Sequence, residues 1–309
     1  MVRSISIGEL DRFISEPEEP ENLERVRTFF IKQLESGETR PEWCFVLDNG
    51  ANFLARIIVF TFPRAHPEYG ITFFAFDREL SFGSRASFIK EVALRMHEKV
   101  GASIFTHEQR TSSEKYNANI ALLQGAGFSL CSSRLRYTLD VSSFEPLIKL
   151  PAELIEHSIA DVGTEEFIKA LPVIISNSLD SEDILRIKEY GAVNAARHFY
   201  QMLSSRDTSL EQWKIYFTST GDLIGVVIPQ FFGDSKDTGT IGYIGINPTM
   251  RSKGYGRLIL KRALSIMAQE GALKMVDECD SANASAAHIL EQIGYKRQYE
   301  KEIRKLVIG

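Results

Sequence analysis

Apolar and polar positions along this chain recur in two blocks of the same order. In the first half, residues 21–35 carry a helical pattern. A hairpin follows: Cys44–Leu47, the turn Asp48-Asn49-Gly50, then Asn52–Thr61. Asn-Gly is a strong hairpin turn, because both central residues adopt positive φ at low cost. A strand at Ile71–Phe76 and an amphipathic helix come next. In the second half, helical patterns at 164–178 and 181–203 precede a hairpin, with Lys214–Thr218, the turn Ser219–Asp222 and Leu223–Pro229. A strand at Ile241–Ile246 leads into a helix on which Leu260, Ala263, Leu264 and Met267 recur at helical spacing, and Gly271 stands where a helix stop belongs. Each half closes with a strand, a short helix ending near a Gly-aromatic pair (Gly127-Phe128; Gly294-Tyr295) and a last strand. Leu135, Tyr137, Leu139 and Val141 alternate as a half-buried strand does.

The repetition survives as identities at a constant shift of 170. Trp43 falls on Trp213, Phe62 on Phe232 and Ile71 on Ile241; Ala93-Leu94 falls on Ala263-Leu264 and Gly101-Ala102 on Gly271-Ala272. Identities are sparse, so the order of elements is the stronger signal. The stretch 142–158 holds Pro146 and Pro151 and no clear period, and 146–154 is read as a linker between residues 1–145 and 155–309. A single sheet continuous through both halves is the alternative. The expected fold class is α/β (α+β): two tandem modules, each a mixed, mostly antiparallel sheet flanked by helices.

Composition narrows the function. The chain has 309 residues, enough for two cores. No apolar run approaches 18 residues, and the N-terminus lacks a signal-peptide core, so no membrane association is expected. Three scattered cysteines, Cys44, Cys131 and Cys279, suit a reducing cytoplasm, and neither they nor the histidines have metal-ligand spacing. No metal is therefore expected. A net charge of −5 argues against a nucleic-acid partner. The acidic stretch 16–21 reads as a solvated loop leading into a helix.

The stretch that carries chemistry is Ile244-Gly245-Ile246-Asn247-Pro248-Thr249-Met250-Arg251-Ser252-Lys253-Gly254-Tyr255-Gly256-Arg257-Leu258. A strand ends, the chain turns, and a basic, glycine-containing loop opens a long helix. The first turn of a helix has unpaired N–H groups and the positive end of the dipole, which together make an anion site. Gly254 and Gly256 let a diphosphate approach the backbone, and Arg251, Lys253 and Arg257 add positive charge. The loop has neither the Walker spacing nor the third glycine of a dinucleotide fingerprint.

Arg251-x-x-Gly254-x-Gly256, preceded by Ile-x-Ile-Asn-Pro, resembles the acetyl-CoA-binding motif of the GNAT (Gcn5-related N-acetyltransferase) superfamily. Asn283-x-x-Ala286, Leu290 and Gly294-Tyr295 resemble that family's second signature, so the likeness covers about residues 155–309. The first half resembles the fold only by element order and the internal shift. The arrangement is similar to tandem mycothiol synthase-like acetyltransferases. The resemblance implies that backbone groups of Ile244 and Ile246 pair with the pantetheine arm. It gives the N–H groups from Ser252 through Lys253, Gly254, Tyr255, Gly256 and Arg257 to Leu258 the pyrophosphate, with Arg251 beside them. Asn283 is expected to position the pantetheine; its bare residue reading is a helix N-cap. The implied reaction moves an acetyl group from acetyl-CoA to a primary amine by direct attack in a ternary complex.

Where the family commonly has a proton-donating tyrosine, this chain has Leu290. Tyr243 and Tyr295 are substitutes, both more often packing residues. Asp277, Glu278 and Asp280 are candidates for the general base, Glu278 foremost, and Cys279 is read as inert. The positions matching Arg251, Gly254 and Gly256 in the first half are Ser81, Ser84 and Ala86, so that half is expected to bind acyl-CoA poorly or not at all. The acceptor, a small-molecule or protein amine, is expected to meet residues 164–212. A monomer is favoured over a homodimer. Two rival readings are a non-catalytic acyl-CoA-binding or regulatory protein, which Leu290 favours, and an unrelated phosphate-binding enzyme.

Overall fold

A computed structural model of the chain describes all residues except 16–19, 62–67, 147–148, 205–208 and 233–234. The pairing Phe62/Phe232 and the centre of the acidic stretch 16–21 thus involve positions outside the described residues. The chain divides into two compact units, Met1–Cys131 with Glu302–Gly309, and Ser132–Lys301.

The first unit contains β1 (Val2–Ser4), α1 (Leu10–Ser15), α2 (Pro20–Glu35), β2 (Cys44–Asp48), β3 (Phe53–Thr61), β4 (Glu68–Phe76), α3 (Phe82–Val100), β5 (Ile104–Arg110) and α4 (Tyr116–Gly125). Strands β1 to β4 pair antiparallel in chain order, and β5 joins β4 in parallel. Phe88, Ile89, Val92 and Met96 recur at helical spacing on α3 and are buried against Ile57 and Val59 of β3. Cys44, Val46 and Ile58, on the opposite face, pack with Phe13 and Phe30 of α1 and α2.

Strand β6 (Ser129–Asp140) enters the second unit at Ser132. There follow β7 (Leu154–Ser158), α5 (Ile159–Val162), α6 (Thr164–Ile175), α7 (Ser181–Ser204), β8 (Lys214–Thr218), β9 (Leu223–Phe231), β10 (Thr238–Ile246), α8 (Tyr255–Gln269), β11 (Lys274–Asp280), α9 (Ala284–Ile293) and β12 (Lys296–Val307). Strands β7 to β10 pair antiparallel in order, β11 joins β10 in parallel, and β6 pairs antiparallel with β11 from Arg134↔Asp280 to Asp140↔Lys274. The mixed, mostly antiparallel sheet flanked by helices is the fold expected.

The repeat reaches into the element boundaries. β2 and β8, β3 and β9, β4 and β10, and β5 and β11 each begin 170 residues apart, at 44/214, 53/223, 68/238 and 104/274. The closing strands are exchanged. Arg134–Asp140 of β6 sit in the second unit, whereas Glu302–Val307 of β12 belong to the first. Strand β7, Leu154–Ser158, begins at the last residue of the stretch read as a linker and belongs to the second unit. Helix α6 stops at Ile175, short of 178, and α7 is broken at Gly191, whose φ of 73° and ψ of 156° are not helical.

One face of the second sheet is covered by α6 and α7, with Phe167, Leu171, Ile174, Ala195 and Phe199 against Val226 and Ile228. The other is covered by α8 and α9, with Leu264, Met267 and Leu290 against Met275, Cys279, Leu135 and Tyr137.

Candidate functional site

Strands β10 and β11 pair only at Thr238↔Lys274 and Gly239↔Met275. The register of β10 against β9 then slips between Ile241 and Tyr243, a β-bulge that re-aims the strand. Beyond it β10 keeps its partner β9 on one side through Ile246, while among the described residues the edge facing β11 has no strand partner. Asp277 sits at the apex of this opening. Its Oδ1 accepts from the backbone N–H of Ile241 (2.6 Å) and from Thr240 Oγ1 (3.1 Å), and the Tyr295 hydroxyl donates to Oδ2. Burial pushes the Asp277 carboxyl above its ordinary range against the lowering effect of these bonds. Asp277 and Tyr295 therefore build the opening, with the phenol pushed well up by burial and by the carboxylate.

The open edge leads to the basic loop. Asn247 caps a short turn at Pro248–Met250, accepting from the Thr249 N–H. Ser252 (φ 62°) and Gly254 (φ 84°) are both left-handed, which turns successive N–H groups to one side before α8 begins at Tyr255. Among the described residues, none of the six N–H groups from Ser252 to Arg257 donates a hydrogen bond; the first paired one is Leu258 N–H, to Gly254 O. Ser252, Lys253, Gly254 and Arg257 are exposed and Tyr255, Gly256 and Leu258 half-buried. The two glycines differ in role. A Cβ on Gly254 would meet nothing within 4 Å, so its backbone conformation is what demands glycine. A Cβ on Gly256 would lie 3.3 Å from Ile289 Cδ1 and 3.7 Å from Ile246 Cγ1, so Gly256 brings α8 close to α9 and β10.

The Arg251 side chain turns back into the protein. Its Nε donates to Ile246 O (3.2 Å) and its Nη1 to Asn177 O (2.8 Å) in the α6–α7 loop. Asn283 caps α9, its Oδ1 accepting from the Ala286 N–H at 3.1 Å. Leu290 is buried in the core between α8, α9 and the sheet.

On the α6/α7 face, Tyr243 follows the bulge and packs edge-on against Phe199. Its hydroxyl donates to Oδ2 of Asp183 at 3.4 Å, and Asp183 also accepts from Ser178 Oγ (2.8 Å) and Arg186 Nη1 (3.2 Å). Burial, then the neighbouring Asp180, raises the Asp183 carboxyl; Tyr243 is pushed well above the ordinary phenol range by burial and by Asp183. Around this pair, Arg134 bridges Asp180 and Glu182, and Asp280 Oδ2 accepts from Ser181 N–H at 2.8 Å. Nothing in the sequence marked Asp183, which reads as an ordinary acid in a first helical turn. Glu278, the favoured base from sequence, points to the same face and is paired with Arg136 (2.7 Å) and Lys301 (3.1 Å). Cys279 is buried, and desolvation pushes its thiol up to about 11, as expected of an inert cysteine. Exposed His288 is hydrogen-bonded to Gln292.

The matching region of the first unit is built differently. β4 and β5 also part after a short parallel stretch, Glu68–Gly70 with Ile104–Thr106. His107, which matches Asp277 at the 170 shift, bonds through Nδ1 to Ile71 O (2.8 Å), and Ile71 matches Ile241. Helix α3 begins at Phe82, one turn earlier in the repeat than α8, and Ser81 Oγ accepts from the Ser84 N–H at 3.1 Å. The helix end is thus capped by its own side chain, where the second unit presents free N–H groups. Among the described residues, no cluster of His, Cys, Asp or Glu is placed to hold a metal ion, and no helix is long and apolar enough to cross a membrane.

Comparison with known proteins agrees with this geometry. Residues 186–295 match the model of the acetyltransferase (GNAT) family. A mycothiol acetyltransferase of Kocuria rhizophila is 29% identical over 65 residues, a match spanning 21% of this chain and only 22% of that relative. Among solved structures, a GCN5-related N-acetyltransferase from Sphaerobacter thermophilus superposes with a TM-score of 0.62 at 14% identity, covering 99% of this chain and 95% of that one. A tandem GNAT protein from the clavulanic acid biosynthesis pathway gives 0.51 at 14% identity, over 86% and 82% of the two chains. The bulged, parting strands and the unpaired helix start agree with these matches: the chain has the GNAT fold, and its residues 186–295 match the acetyltransferase (GNAT) family.

Proposed function

We propose that the second unit is an acetyl-CoA-dependent N-acetyltransferase acting on a primary amine. The observation that carries this reading is the run of free N–H groups from Ser252 to Arg257 at the end of an open strand edge. The N–H groups and the exposed Lys253 and Arg257 hold the diphosphate, and the open edge of β10 around Ile244 and Ile246 receives the pantetheine arm as an added strand. Asn283 flanks the arm from the start of α9.

The amine nitrogen attacks the thioester carbon; the C–N bond forms, the C–S bond breaks, and the thiolate leaves. N–H groups on the open edge of β10 stabilise the oxyanion. Asp183 is the base we favour for the ammonium proton, because burial raises its carboxyl and so makes the carboxylate a stronger proton acceptor than an ordinary aspartate's. Tyr243, bonded to it beside the bulge, is the acid nearest the leaving sulfur's expected path. Glu278, held between two cations, serves the electrostatics of that face. A coenzyme A release assay with acetyl-CoA and a panel of small and peptide amines tests the reading. Amine-dependent release that falls in Asp183→Asn supports it. Binding of acetyl-CoA with no release for any amine favours the alternative, a non-catalytic acyl-CoA-binding protein, which the buried Leu290 supports.

A further inference from the structure

The Arg251 guanidinium joins three parts of the site. Arg251 directly precedes Ser252, the first of the free N–H groups. Its Nε holds the last carbonyl of β10, at Ile246, and its Nη1 holds Asn177 O in the loop joining α6 to α7. That loop has marks of a movable segment. Asn177 is left-handed (φ 64°), one of only two non-glycine residues with positive φ among those described; the other is Ser252, beside Arg251. At the far end, α7 breaks at Gly191. Between these two points Leu179, Ile184 and Leu185 are about half exposed, while Asp183 faces Tyr243.

We propose that Arg251 is a positioning residue that couples diphosphate binding to the order of the α6–α7 loop, and through it to Asp183. The inference rests on the acyl-CoA reading above. A diphosphate held by the N–H groups of Ser252 to Arg257 fixes the backbone of the loop that carries Arg251. The guanidinium is then held on Asn177 O, and the segment from Asn177 to Tyr190 loses freedom. The donor thereby prepares the acceptor side before the amine arrives. In this arrangement the guanidinium is spent on carbonyl oxygens, and the charge for the diphosphate comes from Lys253, Arg257 and the helix end.

The test uses the full chain and coenzyme A as the probe, comparing wild type with Arg251→Ala and Arg251→Lys. Lysine keeps the charge but is a single point donor that cannot fork across two carbonyls. Calorimetry gives the affinity, and hydrogen exchange read by mass spectrometry gives the protection of residues 176–190. We expect coenzyme A to slow exchange there by about tenfold in wild type. Both variants should bind coenzyme A within about threefold of wild type, equivalent to about 0.7 kcal/mol, and lose most of that protection. Unchanged exchange in β8 and β9 reports an intact fold; if the alanine variant does not fold, the lysine variant decides. Protection that persists in variants that bind, or that never develops in a wild type that binds, overturns the coupling and leaves the acyl-CoA reading standing. Loss of binding in both variants overturns it in favour of a direct diphosphate role for Arg251. No binding by wild type overturns both readings.

Discussion

Replacing Asp277 probes the opening between β10 and β11 at its apex. Asp277→Ala strands three donors: the Ile241 N–H, the Thr240 hydroxyl and the Tyr295 hydroxyl. The amide cannot turn to another partner, because β11 has already parted from β10, and a buried unsatisfied donor costs about 1–3 kcal/mol. Each hydroxyl can rotate, so its loss is nearer the net value of a hydrogen bond, about 0.5–1.5 kcal/mol. The sum is about 2–6 kcal/mol. Asp277→Asn keeps an acceptor for Ile241 and offers a donor to the Tyr295 oxygen, so it should lose about 1 kcal/mol or less near neutral pH. The pH dependence has a definite sign. Burial raises the native Asp277 carboxyl, so the native state binds its proton more tightly than the unfolded chain. Its contribution is fully present below the unfolded value near about 3.9 and is lost as pH rises through the raised native value. Asparagine does not titrate, so the asparagine variant should gain on wild type across that window. The assay is urea unfolding followed by fluorescence in a Trp43→Phe background. Trp213 then alone reports the second unit, since each unit holds one of the two tryptophans. Coenzyme A affinity should fall in the alanine variant and hold within about threefold in the asparagine variant. A loss below about 1 kcal/mol in Asp277→Ala, or an equal loss in both variants, refutes the assignment of Asp277 as the keystone of the opening.

Gly256→Glu presses a side chain on Ile289 and sets a negative charge beside the free N–H groups; calorimetry should show at least about a tenfold loss of coenzyme A affinity. Gly254→Ala meets no neighbour but must hold a left-handed backbone, so it should cost about 1–2 kcal/mol of stability by thermal melting. Cys279, buried and with its thiol pushed up to about 11, should resist iodoacetamide at pH 8 in the folded chain, and Cys279→Ala should keep its turnover. If Asp183 is the base, activity rises with pH through its raised carboxyl value, and Asp183→Asn should lower turnover about a hundredfold or more without matching loss of coenzyme A affinity.

The elements and the basic, glycine-containing loop were legible because both are written locally. Hairpins follow turn chemistry, helices α3 and α8 follow apolar spacing, and the strand-to-helix turn at Asn247–Gly254 carries its own glycines and positive charge. The partner of a strand is not written locally. Leu135, Tyr137 and Leu139 alternate whichever sheet they join, and their place beside β11 depends on contacts with Met275 and Cys279 far along the chain. Strand β7 escaped notice because Leu154-Ile155-Glu156-His157-Ser158 has no apolar alternation and no hairpin turn joins it to its partner β8. Asp183 and the turned-back Arg251 were hidden for the same reason as the exchanged strands. Their meaning comes from Tyr243 and Asn177, which only the fold brings near them.

The proposed acyl-CoA site is one per chain, made by the free N–H groups of the second unit, whereas in the first unit Ser81 caps the Ser84 N–H. Titration of the full chain with coenzyme A by calorimetry measures this directly. One site per chain, lost in Gly254→Pro and kept in Ser84→Pro, is the result the account predicts. Two comparable sites, or one site lost on changing Ser84 and retained on changing Gly254, would contradict it.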